Sequence, residues 1–220
     1  MMRLPHKLFI TGTGTDVGKS VTAAMLLAGT RGYYWKPVQS GLDPASDSEW
    51  VQRVTGLPPA HFLPETYRLR TPLSPHAAAA LDGVRIQLAA FRLPEPPAPG
   101  HLIVEGAGGV LVPLNEQDFM LDLIVQLALP VLVVASSRLG TINHTLLTLQ
   151  ALRSRPLSVV GVVLNGPPDP GNRRAIEHFG KVPVVAQIEP LPAVTPEALR
   201  ATFARHFHAA ITAPVLSAEA

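Results

Sequence analysis

Lys19 and Ser20 stand directly behind a glycine-rich stretch carrying Gly12, Gly14 and Gly18, preceded by the apolar run Leu8-Phe9-Ile10 and followed by the apolar segment 21–28. Strand, glycine loop, Lys-Ser pair and helix together form the context of a phosphate-binding loop. Glycines let the backbone turn so that several N–H groups point inward, and the helix N-terminus adds positive partial charge. In such a loop Lys19 is a mobile cation for the outer phosphates and the Ser20 hydroxyl a magnesium ligand. Five residues, Thr13 to Val17, separate Gly12 from Gly18, one more than the general motif has.

The elements that must position these residues are legible as alternating patterns. Apolar runs rich in strand formers predict strands over residues 7–11, 32–36, 66–69, 101–105, 130–135, 158–165 and 183–188. Helical patterns between them predict helices over 46–55, 76–81, 85–92, 118–127, 143–153, 172–178 and 196–209. Runs such as VLVVA and VVGVVL suit parallel strands covered on both faces. The alternation predicts an α/β fold, a doubly wound and mostly parallel sheet with helices on both faces. Such folds bind ligands beyond the carboxyl ends of their strands. There stand Lys36, in WKPVQSG; Glu105, at the end of HLIVE; and Asn165, at the end of VVGVVLN. Singly, a strand-end lysine is equally a surface charge and a strand-end glutamate a cap; three in register with a phosphate loop predict one site. The stripe Leu199, Phe203, Phe207, Ile211 is predicted to pack into the core rather than onto a membrane.

The bulk composition sets limits. A chain of 220 residues with 47% hydrophobic and 15% charged residues reads as one compact domain over residues 1–220. The proline-rich segment 94–100 leads straight into a strand and reads as a surface connection. A net charge of +2 without any run of lysine or arginine argues against a nucleic-acid partner. The absence of cysteine excludes thiol nucleophiles, cysteine metal sites and a disulfide framework, and fits a reducing compartment. No apolar run reaches membrane-span length and the first residues lack the apolar segment of a secretory signal, so a cytoplasmic location without membrane partners is expected.

The sequence resembles the dethiobiotin synthetase family of ATP-dependent enzymes, within the P-loop NTPase superfamily. The matches are TGTGTDVGKS at residues 11–20, KPVQSG at 36–41, Asp47 in SDSEW, SPH at 74–76, VEGAGG at 104–109, LGTINHTLLT at 139–148 and Asn165. They run in order through most of the chain, and the longer gap in the phosphate loop is the family's own pattern. The resemblance implies ATP binding by Asp16, Val17, Gly18, Lys19, Ser20, Val21, Asp47, Glu105, Gly106, Ala107 and Gly108, with Asn165, Gly166, Glu189, Pro190 and Leu191 at the base. It implies magnesium on Ser20, Asp47 and Glu105. Lys36, Lys19 and Thr15 are the implied catalytic residues, and Thr15, Lys36, Ser40, Thr141 and Asn143 the implied substrate contacts. Asp16 stands where the family commonly has glutamate, on a shorter arm.

The implied reaction joins carbon dioxide (or bicarbonate as its source) to 7,8-diaminononanoate. An amine becomes a carbamate, the carbamate attacks the γ-phosphate of ATP, and the neighbouring amine closes the cyclic urea. Two compact cations and short hydroxyls suit that moving charge. The family's dimer implies that residues 139–148 border the diamine site across a two-fold interface. Two other classes share the loop. A partitioning-type ATPase would bind partners or membrane, and KPVQSG and EGAGG speak against it. An amidotransferase-type cobyrinate synthetase usually needs a glutamine-hydrolysing domain and its cysteine, which this sequence does not contain.

Overall fold

The computed structural model describes residues 4–207. In chain order the elements are β1 (Lys7–Gly12), α1 (Lys19–Thr30), β2 (Tyr33–Trp35), β3 (Val38–Ser40), α2 (Asp47–Thr55), β4 (Phe62–Leu63), β5 (Tyr67–Leu69), α3 (Pro75–Leu81), β6 (Leu102–Gly109), α4 (Met120–Leu127), β7 (Val131–Ser136), α5 (Thr141–Arg153), β8 (Val159–Asn165), α6 (Pro170–Gly180), β9 (Val184–Ile188) and α7 (Pro196–Phe207). Seven strands form one parallel sheet in the order β4-β2-β6-β1-β7-β8-β9, and β3 and β5 pair separately. The sheet is the expected doubly wound one. The chain leaves β1 toward β2 on one side and returns after β6 to build β7, β8 and β9 on the other. The direction of winding therefore reverses around β1, where ligands bind in this architecture.

Strand alternation sorts the core into two layers. Leu8, Ile10, Tyr34 and Ile103 face α1, α2 and α7, with Met25, Leu26, Val51, Leu199, Phe203 and Phe207 opposite them. Phe9, Trp35, Val104 and Val133 face the other side, against Ile124, Leu149 and Ile176 of α4, α5 and α6. The expected stripe Leu199, Phe203, Phe207 is thus core; Ile211 and the end of the predicted helix 196–209 lie outside the described residues.

Several elements differ from expectation. Segment 66–69 does not join the main sheet: β5 pairs with β3, and the edge position belongs to β4. Segment 85–92 is not an α-helix but carries only a 3-10 turn, Leu88–Ala90. The Gln126 side chain donates to the carbonyls of Leu88 (3.0 Å) and Phe91 (2.7 Å), supplying from α4 the hydrogen bonds that a helix would have made internally. β6 runs on through Gly109, so Glu105 lies in mid-strand. α1 begins at Lys19, two residues earlier than its apolar run.

α2 carries Asp47 at its first position, and its start is fixed by a capping box. Ser46 Oγ accepts from the Glu49 N–H (3.2 Å), Glu49 Oε2 accepts from the Ser46 N–H (2.8 Å), and Arg68 Nη2 donates to Glu49 Oε1 (2.8 Å). The Ser46 amide and then Arg68 lower the Glu49 carboxyl from 4.5 to about 2. Because the folded value lies below the unfolded one, its stabilisation is present above pH 4.5 and is lost as pH falls toward about 2. Glu49→Gln should therefore be less stable than the parent at pH 6 and equal to it near pH 2, measured by urea unfolding across that range.

Candidate active site

The phosphate loop joins β1 to α1. Gly18 is the N-cap of α1 with φ 96°, and a Cβ there would fall 1.6 Å from Asn165 Nδ2. Only glycine fits both the backbone angle and the contact. Its turn brings Lys19 and Ser20 into the first helical turn, with Val21 half-buried behind them. Asn165 Nδ2 donates to the Val17 carbonyl (3.2 Å), tying the end of β8 to the loop. Asp16, exposed, adopts φ 56°, the left-handed region that aspartate tolerates better than most residues. Lys19 is buried and donates to the Gly14 carbonyl (2.7 Å); burial draws its ammonium below the usual lysine range, against the pull of Glu105.

Beside the loop lies a charged cluster built by strand register. Tyr34 is opposite Ile103, and Ile10 opposite Glu105. Alternate residues share a face, so Tyr34, Lys36, Ile103 and Glu105 all lie on the α1 side. Glu105 has no accessible surface. Its Oε1 accepts from Ser20 Oγ (2.9 Å) and Lys36 Nζ (3.2 Å), and its Oε2 from the Tyr34 hydroxyl (2.9 Å). Lys36 is 2% exposed and also pairs with Asp47 Oδ2 (2.5 Å). Burial pulls the Lys36 ammonium down, but Glu105 and Asp47 outweigh it and carry the group above its ordinary value. Burial pushes Asp47 up, and the Lys36 charge overrides it and holds the carboxyl low. Burial and then the Glu105 charge drive the Tyr34 phenol well above its usual range, so it stays a neutral donor.

The structure therefore brings Lys19, Ser20, Lys36, Asp47 and Glu105 together from four separate segments. Gly106, Ala107 and Gly108 continue β6 toward the loop, where Gly109 pairs with Gly12. Gly166 is held to β9 by its N–H to the Ile188 carbonyl (2.8 Å) and by Gln187 Nε2 to its own carbonyl (2.9 Å), which places Glu189, Pro190 and Leu191 in the adjoining loop. Ser40 Oγ is buried with no hydrogen-bond partner among the described residues. Thr15 opens onto a cleft of about 310 Å³ between the phosphate loop, Gly109 to Val112, and the α5 residues His144, Leu147 and Thr148. Thr141 and Asn143 do not line this cleft: Thr141, the first residue of α5, is buried with no partner for its Oγ1 among the described residues, and Asn143 is exposed.

Three residues at the site went unread in the sequence. Tyr34 was masked by its apolar neighbours, although its two-residue spacing from Lys36 sets both on one face. Gln39 accepts from the Asp47 N–H (3.1 Å) and donates to the Gly41 carbonyl (2.8 Å), steadying the start of α2. His144 gave no signal beyond the motif around it.

Ser20, Asp47 and Glu105 are hard oxygen donors of the kind magnesium takes when substrate phosphates and waters complete its shell. Among the described residues no three His, Cys, Asp or Glu side chains cluster to hold a metal unaided, so the set suits an ion that arrives with a nucleotide rather than a dedicated metal cage.

Sheet order and phosphate loop define a P-loop nucleotide-binding protein of the doubly wound class, and a family model described as an AAA domain matches residues 6–198. A ParA family ATPase from Chlorobium tepidum TLS has a similar fold, with a TM-score of 0.51 at 12% identity over 90% of this chain and 97% of that one. More narrowly, the chain belongs to the ATP-dependent dethiobiotin synthetase family. It is 51% identical over 188 residues to the BioD protein so named from Paramagnetospirillum magneticum, covering 86% of this chain and 90% of that one. It is 47% identical over 204 residues to the one from Agrobacterium fabrum, covering 93% and 95%. The biotin biosynthesis bifunctional protein BioCD of Bordetella avium is 49% identical over 198 residues, 90% of this chain but only 42% of that protein.

Removing the ammonium of Lys36 leaves the buried carboxylate of Glu105 beside Asp47 with no cation between them. Such a loss costs about 3–5 kcal/mol. Lys36→Ala should lose stability on that scale in chemical denaturation without nucleotide or magnesium.

Proposed function

We infer that the protein is an ATP- and magnesium-dependent cyclo-ligase that converts 7,8-diaminononanoate and carbon dioxide to dethiobiotin, ADP and phosphate in biotin biosynthesis. The observation that carries this reading is the Lys36 ammonium, buried between Asp47 and Glu105 beside the phosphate loop, in a chain whose relatives bear that enzyme's name.

One amine of the substrate takes up carbon dioxide and loses a proton to become a carbamate. The carbamate oxygen attacks the γ-phosphorus of ATP and ADP leaves. The second amine then attacks the carbonyl of the mixed anhydride, closing the urea ring as phosphate departs. Lys19 holds the outer phosphates from the first turn of α1, where the helix N-terminus adds its own positive charge. Lys36 faces the carbamate and transferring phosphoryl group, a fixed cation where negative charge moves. Thr15 and Ser40 donate hydroxyls to carbamate and substrate, a role supported by Ser40's unpartnered oxygen and by the opening of Thr15 onto the cleft. Ser20, Asp47 and Glu105 would hold magnesium, which when bound neutralises charge on the phosphates. Asn165, fixed by the Val17 carbonyl, offers its amide to the adenine edge, with Gly166 and residues 189–191 completing the pocket.

The working unit is read as a two-fold dimer. Exposed Leu111 and Leu147 at the cleft support this, and so does the N-terminus of α5, with buried Thr141, as a site for the substrate carboxylate from the neighbouring subunit. The chain is read as one catalytic domain, supported by a single sheet drawing strands from Lys7 to Ile188. A cytoplasmic location is supported by the absence of cysteine; no helix among the described residues is long and apolar enough to cross a membrane.

Mass spectrometry should detect dethiobiotin from diaminononanoate, bicarbonate, ATP and magnesium, with phosphate release strictly dependent on the diamine. Phosphate release without diamine, and no product from folded protein, would replace this reading by a regulatory ATPase. Lys36→Arg keeps the charge but replaces a point cation by a planar fork. It should lower kcat and kcat/KM together, up to the roughly 10²–10³-fold typical of a lost transition-state donor, with ATP affinity by calorimetry little changed.

A further inference from the structure

We propose that Tyr34 is a positioning residue for the nucleotide-bound divalent cation: its hydroxyl clamps Glu105 Oε2 and so presents Oε1 to Ser20, Lys36 and the metal. The inference rests on the placement of magnesium at Ser20, Asp47 and Glu105 in the preceding reading.

Three observations carry it. First, register sets the reach. Tyr34 is opposite Ile103 on β6, and Glu105 lies two residues further on the same face, a diagonal that a long aromatic side chain spans. Second, the two ends of Tyr34 have different surroundings. The ring packs with Phe62, their centroids 5.9 Å apart, in the apolar layer with Leu8 and Val51, a space that phenylalanine fills equally well. The hydroxyl's one hydrogen bond among the described residues is to Glu105 Oε2, at 2.9 Å. Third, the carboxylate divides its partners: Ser20 and Lys36 both bind Oε1, and Tyr34 alone binds Oε2. Without the phenol, Oε2 is left buried with no side-chain donor among the described residues, and the carboxylate is held from its Oε1 side alone. Tyr34 touches neither nucleotide nor metal in this arrangement and acts through Glu105, as outer partners of metal-binding carboxylates do.

The test compares the parent chain with Tyr34→Phe, and with Tyr33→Phe as control, because Tyr33 lies on the opposite face of the sheet. Manganese is the probe, its binding to the protein–ATP complex followed by electron paramagnetic resonance. ATP affinity is measured separately in EDTA. Tyr34→Phe should weaken manganese binding about 10–100-fold, while its ATP affinity in EDTA and the control's manganese affinity stay near the parent's. Unchanged manganese affinity in Tyr34→Phe would overturn the proposal. So would an equal loss of ATP affinity in EDTA, which would make Tyr34 a packing residue. Neither readout requires the diamine: a chain that makes no dethiobiotin but shows the manganese effect refutes the reaction and keeps the Tyr34 assignment.

Discussion

The site depends on a carboxylate without solvent. Glu105 sits in the middle of a central parallel strand, fully enclosed, and an ion there costs several kcal/mol unless donors replace its water. Three do so, and each arrives from a different direction: Tyr34 along the neighbouring strand, Lys36 from just past that strand's end, and Ser20 from the first turn of the helix above. The requirement to satisfy Glu105 therefore fixes β2 against β6 and both against α1. Asp47 joins through Lys36, so α2 must start where its capping box starts it.

The same constraint connects nucleotide and substrate chemistry. The ammonium that neutralises Glu105 is the cation assigned to the transferring phosphoryl group, and the hydroxyl on Glu105 Oε1 belongs to the phosphate loop. On the proposed function, stability and catalysis draw on one set of contacts. On the far side of the loop, Asn165 is seated against Gly18 and Val17, so the residue proposed to read the base is held by the phosphate loop itself. The ends of β1, β6 and β8 thus meet around the phosphate loop, with the cleft beside Thr15 as its open side.

The phosphate loop was legible because its chemistry is local: glycine, lysine and serine within a few residues, between a strand and a helix. Lys36 and Asn165 were legible because apolar runs end at polar residues there. Glu105, expected at a strand end, lies in mid-strand. The glycines after it look like a loop, yet they continue the strand; at Gly106 a Cβ would meet the Phe9 ring at 2.9 Å, so the absence of a side chain permits close packing. The strand at 66–69 was legible, but not its partner β3, because a three-residue strand carries no measurable period. Segment 85–92 departs from its expected helix because the Gln126 side chain, distant in sequence, supplies partners to the Leu88 and Phe91 carbonyls. Tyr34 was hidden because its partner Glu105 is 71 residues away; the spacing from Lys36 gives its face, and strand pairing gives the contact.

The most direct test of this account is a double-mutant cycle between Lys36→Met and Glu105→Gln, measured by chemical denaturation without nucleotide or magnesium. If the buried carboxylate organises the site, removing the ammonium costs much less once Glu105 is neutral, with a coupling of about 1–3 kcal/mol, within the range seen for residues in direct contact. Additive effects, with the loss of Lys36 costing the same in both backgrounds, would contradict it.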